Sequence, residues 1–129
     1  MKVLFGADVS IGYLSQHRGE IRDPAVVFGD ALPLFRAADF SVLNMENVFG
    51  DEAALTPIIK SGPNLLATKD LESYLTAIGP TALNFANNHA GDYGDEALLS
   101  TMADFESAGI LTFGAGKNIT QAYRPVLFR

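Results

Sequence analysis

Four polar clusters carry the side chains that could do chemistry in this sequence, and each follows an apolar run. Asp8 follows Val3-Leu4-Phe5, while Asn44 and Glu46 follow the run from Phe40 to Leu43. Asn87-Asn88-His89 follows Thr81 to Ala86, and Gly114-Ala115-Gly116-Lys117-Asn118 follows Ile110 to Phe113. Two carboxylates, several amide oxygens and one imidazole make an oxygen-rich donor set, which suits Mg²⁺, Mn²⁺ or Zn²⁺. Two such ions about 3.5–4 Å apart, bridged by a carboxylate, activate water and clamp both oxygens of a phosphoryl displacement. Taken singly, each residue reads better as a solvated loop carboxylate or a turn amide. Their shared position after apolar runs is what points to a site.

The elements that must position these clusters are legible as punctuation. The four apolar runs read as short buried strands. Asp23-Pro24 offers an N-cap with proline in the first helical position, and the composition stays helical to Ala38. Gly29 and Pro33 are expected to divide that segment into two short pieces. Residues 47–63, with Gly50, Pro57, Gly62 and Pro63, read as one long loop. Leu71, Leu75 and Ile78 predict an amphipathic helix from Leu65 to Ile78, stopped by Gly79. A second long helix spans roughly Asp95 to Ala108 and stops at Gly109. Leu71, Leu75, Leu98, Leu99, Met102 and Phe105 are assigned to the core by their helical spacing. Val126-Leu127-Phe128 reads as the start of a fifth strand.

Strands alternating with helices imply right-handed crossovers, a mostly parallel sheet and an α/β layer fold. In such sheets ligands bind outside the carboxyl ends of the strands. Parallel strands therefore bring all four clusters to one edge. The length, 129 residues, suits a single domain, and 48% hydrophobic against 19% charged residues suits a packed core.

Fifteen acidic residues against nine basic ones leave a formal charge of −6, which argues against nucleic acid as a partner. Cysteine is absent, so disulfides, thiolate nucleophiles and cysteine-based zinc sites are excluded. No apolar run approaches the roughly 20 residues of a membrane span. Gly6-Ala7-Asp8 interrupts the only N-terminal apolar run, so a signal peptide is not expected, and the chain as written reads as cytoplasmic.

Several of these residues together resemble a known family. Asn44-Met45-Glu46, Ala86-Asn87-Asn88-His89 with Asp92-Tyr93-Gly94, and Gly114-Ala115-Gly116 with Ala122 and Pro125 carry the resemblance. They are similar to the CapA-type capsule-synthesis proteins, also called poly-γ-glutamate synthesis proteins, which are related to the calcineurin-like metallophosphatases. The resemblance runs from residue 3 to the C-terminus, and N-N-H-x-x-D-Y-G is its most specific element. It implies the N-terminal half of a metallophosphatase-like α/β fold and a site for one or two divalent ions (Mn, Mg or Zn). Asp8 matches the family's first metal-binding aspartate, Glu46 the bridging carboxylate and Asn88 the asparagine of the second metal. His89 matches the catalytic histidine that faces the leaving group. Asn44, Asn87 and Asp92 support the site, Asp92 by orienting His89 or capping the following helix.

Metallophosphatases usually begin with D-x-H, whereas this chain reads Asp8-Val9-Ser10 and lacks that histidine. The family also continues into a second half that supplies further histidine ligands, and its members are often membrane-anchored or exported. The resemblance therefore implies low metal occupancy and little turnover for this chain alone. It also implies a sheet edge and apolar face left open, which favour a homo-oligomer or a missing C-terminal half.

The remaining candidates are weaker. Lys60 and Ser61, in Lys60-Ser61-Gly62-Pro63, are candidate contacts to an anionic substrate or simply an exposed turn. Gly114 and Gly116 offer backbone N–H groups for an anion, although a turn needing positive φ is the simpler reading. Asn84 reads as a satisfied buried amide, Tyr93 as packing at a helix start, and His17 as a loop histidine with no special role. The expected function is a metal-dependent phosphoric-ester hydrolase, with His89 protonating the leaving oxygen and a phosphoester or anionic polymer as substrate. The alternative is a non-catalytic binding or assembly component of an anionic-polymer synthesis or export machine.

Overall fold

Apolar runs bounded by turn residues become strands, and the amphipathic segments between them become helices. The computed structural model describes residues 1–16 and 23–128, so His17 lies outside the described residues. The strands are β1 Val3–Val9, β2 Phe40–Met45, β3 Val48–Phe49, β4 Leu66–Ala67, β5 Ala82–Asn84 and β6 Leu111–Phe113. The helices are α1 Pro24–Phe28, α2 Ala31–Arg36, α3 Glu72–Ile78, α4 Gly94–Ser107 and α5 Ile119–Ala122. All pairings are parallel: one sheet has the order β1-β2-β5-β6, and β3 and β4 form a second, two-stranded ladder. The expected α/β architecture, a mostly parallel sheet with flanking helices, is therefore present.

Several local expectations hold for the reasons given. Asp23 caps α1, its side chain accepting from Ala25 N–H, with Pro24 at the first position. Gly79 ends α3 in the left-handed region, at φ 67°. Leu71, Leu75, Leu98, Met102 and Phe105 are buried, while Leu99 is only half-buried. Tyr93 sits at the start of α4, packed against the core.

Other expectations are corrected. Residues 47–63 are not all loop, because Val48 and Phe49 form β3 and are fully buried. Their partner is β4, so the helix expected from Leu65 begins only at Glu72, after a 3-10 turn at Lys69–Leu71. Ladder hydrogen bonds to a distant segment outweigh the local helical spacing there. Pro33 does not break α2; it lies in the first turn, where its missing N–H has no helical partner to lose. Gly29, at φ 47°, makes the division alone. Val126–Phe128 joins no strand, and the Phe128 ring lies 4.3 Å from that of Phe40 instead.

One irregularity in the sheet matters for the site. Phe5 pairs with Val42, but Asp8 pairs with Asn44, so two residues of β1 oppose one of β2. An unbroken register would set Asp8 beside Met45, whose side chain is fully buried. The bulge turns it to the other face, beside Asn44, an effect bulges have next to functional edges.

The two faces of the main sheet differ sharply. Leu43, Met45 and Leu83 share one core with Leu32, Phe35, Leu75, Ile78 and Phe105 from the helices. The Phe49 and Phe105 rings meet edge-on at 5.5 Å inside it. On the opposite face Val3 and Phe5 are 42% and 77% exposed, and Leu111 is 43% exposed. Among the described residues, no helix is long and apolar enough to cross a membrane.

Candidate functional site

The parallel register lines up Asp8, Asn44 and Asn84 on three adjacent strands, near their carboxyl ends. Their side chains bond in series. Asn44 Nδ2 donates to Asp8 Oδ1 at 2.7 Å, and Asn84 Nδ2 donates to Asn44 Oδ1 at 2.8 Å. Asn87 Nδ2 reaches Asn44 Oδ1 at 3.3 Å and Met45 O at 2.8 Å. A polar row of this kind costs least at the solvated end of an otherwise apolar sheet face, where each amide finds a partner. Asn84 is thus satisfied, as the sequence implied, and is also part of the row.

Asn87 passes the chain of bonds to the next cluster, its Oδ1 accepting from His89 N–H at 2.9 Å. The turn that follows folds Asp92 back under the imidazole. Asp92 Oδ2 lies 2.9 Å from His89 Nδ1 and accepts from Leu65 N–H at 2.8 Å. Lys60 Nζ pairs with Asp92 Oδ1 and lies 3.2 Å from His89 Nδ1. The Asp92 side chain is wholly buried, and those of His89 and Lys60 are 14% and 19% exposed. Burial raises the pKa of Asp92, but hydrogen bonds from Lys60, His89 and Leu65 outweigh it and hold the carboxyl below its ordinary value. Asp92 Oδ2 thus faces His89 Nδ1, and α4 starts at Gly94 with Tyr93 at its N-cap and no side-chain cap bond.

The other sequence candidates fall around this core. Glu46 directly follows β2, half-buried, with its N–H donating to Val9 O at 3.0 Å. Asn88 is exposed beside His89, and Ser61 is exposed in the loop after Lys60. Gly114, at φ 86°, packs against Asn84 so closely that a Cβ would lie 2.5 Å from its Oδ1. Gly116 packs instead on Gln121 and Ala122 of α5 and lines a cavity of about 340 Å³ with Lys117 and Arg124. Lys60 is drawn into the Asp92–His89 pair rather than left free in a turn. Asn47 was not singled out by sequence, yet it is buried, accepts from Ile11 N–H at 3.0 Å and ties the ends of β1 and β2 together. Its position one residue after the Asn44-Met45-Glu46 cluster was the available signal.

The donor chemistry at this edge fits a hard or borderline divalent ion in part. Asp8, Glu46 and Asn88 supply oxygens, and His89 keeps Nε2 available because Nδ1 faces Asp92. Among the described residues, however, no three His, Asp or Glu side chains close into a metal cage.

Comparison with known proteins identifies the family of the chain. Residues 2–129 match the family described as bacterial capsule synthesis protein PGA_cap. The chain belongs to that family. It is 27% identical over 125 residues to the PGA biosynthesis protein CapA of Bacillus subtilis, covering 97% of this chain and 33% of CapA. It is 31% identical over 106 residues to a probable polyglutamine synthesis accessory protein of Mycobacterium tuberculosis, covering 78% of this chain and 26% of that protein. This PGA_cap chain thus spans about a third or less of the length of these relatives. The CapA resemblance drawn from Asn44-Met45-Glu46 and Asn87-Asn88-His89 is borne out at the level of the family.

Proposed function

We propose that this PGA_cap chain carries part of a divalent-metal phosphoesterase site serving the synthesis of an anionic capsule polymer such as poly-γ-glutamate. The observation that carries the reading is the buried Asp92 against His89 Nδ1, at the same sheet edge as Asp8 and Asn44. Asp8, Glu46 and Asn88 would hold the metal, with Asn44 and Asn87 fixing the backbone and amides around them. A bound divalent ion would polarise the phosphoryl oxygens and lower the pKa of an attacking water. His89 Nε2 is the atom that takes up a proton from solvent and, in the imidazolium form, passes it to the leaving oxygen. Asp92 keeps the imidazole facing that oxygen and stabilises positive charge on it.

Calorimetric titration of the chain with Mn²⁺ tests the metal assignment. Binding is expected to weaken at least about tenfold in Asp8→Asn and in Glu46→Gln, since each removes a charged oxygen donor. Undiminished binding in both variants overturns the assignment. Turnover of a chromogenic phosphodiester with Mn²⁺, expected to be slight for this chain alone, should disappear in His89→Ala. A second reading, a non-catalytic assembly component, draws support from the name of the Mycobacterium tuberculosis relative, an accessory protein of polyglutamine synthesis. Polymer binding by a chain that takes up no Mn²⁺ is the outcome that favours it.

A further inference from the structure

The segment between β3 and β4 carries more than a turn. It lies across the His89–Asp92 turn and is bonded to it along its length. Ile58 N–H donates to the backbone oxygen of Asp92 at 2.9 Å, and Asn64 Nδ2 donates to Ile58 O at 3.0 Å. Leu65 N–H donates to Asp92 Oδ2 at 2.8 Å, and the Lys60 ammonium pairs with Asp92 Oδ1. Asp92 thus receives three donors from one segment and presents its remaining acceptor capacity to a single ring atom, His89 Nδ1.

We propose that Lys60 is a positioning residue that acts on His89 through Asp92, fixing the Nδ1–H tautomer and leaving Nε2 as the working nitrogen. The assignment deepens the phosphoesterase reading and rests on it only for its kinetic consequence. An ionised carboxylate offers only lone pairs. At 2.9 Å from Asp92 Oδ2, a bare Nδ1 would set two lone pairs against each other, so the proton lies between them. Lys60 lies near the same Nδ1, but its closer tie is to Asp92 Oδ1. By occupying Oδ1 it stops the carboxylate from rotating and supplies the countercharge that a wholly buried carboxylate needs. A lysine waiting for substrate would keep its ammonium in water, whereas this side chain is 19% exposed and already engaged.

Long-range ¹H–¹⁵N correlation spectra of the ¹⁵N-histidine-labelled chain, recorded over a range of mildly alkaline pH, read the tautomer directly. His89→Gln assigns the signals, because His17 is the only other histidine. In the wild type, His89 is expected to show a protonated Nδ1 and a pyridine-like Nε2. Lys60→Met is expected to lose that pure pattern and give a mixture, and Lys60→Arg to restore it. Asp92→Asn is expected to invert it, because the amide can turn its oxygen to Lys60 and its NH₂ to Nδ1. Circular dichroism confirms folding, and Lys60→Gln stands in for Lys60→Met should that variant unfold. An Nε2–H tautomer in the wild type overturns the proposal, as does a Lys60→Met spectrum identical to the wild type. The expected tautomers in a chain that binds no Mn²⁺ at all support the role of Lys60 and overturn the phosphoesterase reading instead. Where turnover is measurable, Lys60→Met is expected to lower kcat at least tenfold with little change in KM. An unchanged kcat counts against the proposal.

Discussion

Asn44 meets Asp8 at 2.7 Å across the β1–β2 seam only because β1 carries one extra residue between Phe5 and Asp8. The bulge moves an aspartate from the buried face of the sheet to the end of a polar row. The row then runs through Asn44 and Asn84 to Asn87 and on to His89. Asp8, Asn44 and Asn84 are thus positioned by strand ends, while Glu46, Lys60, Asn87, Asn88 and His89 lie in the segments that follow or join strands. Small displacements at such an edge would be felt along the whole row.

Asn44 is the branch point, since its two side-chain ends serve three partners. Asn44→Ala is expected to cost about 1–3 kcal/mol, because the half-buried amides of Asn84 and Asn87 lose their acceptor. Urea unfolding monitored by circular dichroism measures this. Mn²⁺ binding should weaken in the same variant, since Asp8 loses its only side-chain partner among the described residues. A variant as stable as the wild type would show that the row is not a working network.

The order of strands and helices was legible because each apolar run ends in turn chemistry and each long helix ends at a glycine. The site was legible as four clusters, because Asp8, Asn44 and Asn87 each follow such a run. What was hidden is what depends on pairing between distant residues. Nothing local in Gly6-Ala7 announces a bulge, which exists only relative to Leu43. Val48-Phe49 and Leu66-Ala67 are too short to read as strands until they face each other. Lys60 looks like part of a loop because its partner, Asp92, is 32 residues away. Glu46 and Asn88 were candidates by the donor chemistry of their clusters, and the family resemblance gave each a ligand role that burial and bonding alone do not single out.

Gly114 and Gly91 offer a matched pair of substitutions beside the site. Gly114 has φ 86°, and a Cβ there would lie 2.5 Å from Asn84 Oδ1 and 2.8 Å from Ala86 N. Gly114→Ala is therefore expected to destabilise by about 1–3 kcal/mol, through backbone strain and a displaced Asn84. Gly91 has ordinary φ and open space around its Cα, so Gly91→Ala should lie within about 0.5 kcal/mol of the wild type. Thermal melts of the two variants side by side decide the matter; equal stabilities would contradict the close packing at Gly114.

The open face of the main sheet makes a different prediction. Val3, Phe5 and Leu111 leave apolar surface exposed there, and Phe128 covers Phe40 only locally. The 129-residue chain is therefore expected to associate as its concentration rises. Phe5→Ser combined with Leu111→Ser should lower the apparent mass in light scattering toward that of one chain. Leu34→Ser, at an exposed position on α2, should not. A wild-type mass independent of concentration, at the value of one chain, would rule this out.

Away from the site, Glu72 at the start of α3 makes stability depend on pH in a direction unusual for a carboxylate. Its pKa is pushed up to about 7, first by burial and then by the Asp104 carboxylate, with Lys69 pulling the other way. Lys69 is itself engaged with Asp104 at 2.7 Å and with Ser100 at 3.3 Å. Because the folded pKa lies above the unfolded value of 4.5, the folded chain keeps a proton that the unfolded chain has lost between those two values. Stability from this group is thus full below pH 4.5, falls as the pH rises toward 7 and levels off above it. Glu72→Gln keeps the shape and removes the titration. Thermal melts at intervals from acidic to mildly alkaline pH should show the variant gaining on the wild type through that window. The two should be nearly equal at the acid end, where Glu72 is protonated in both states, and the variant should be more stable above neutrality. Parallel Tm curves for the two proteins would mean that Glu72 titrates normally and that its burial beside Asp104 carries no cost.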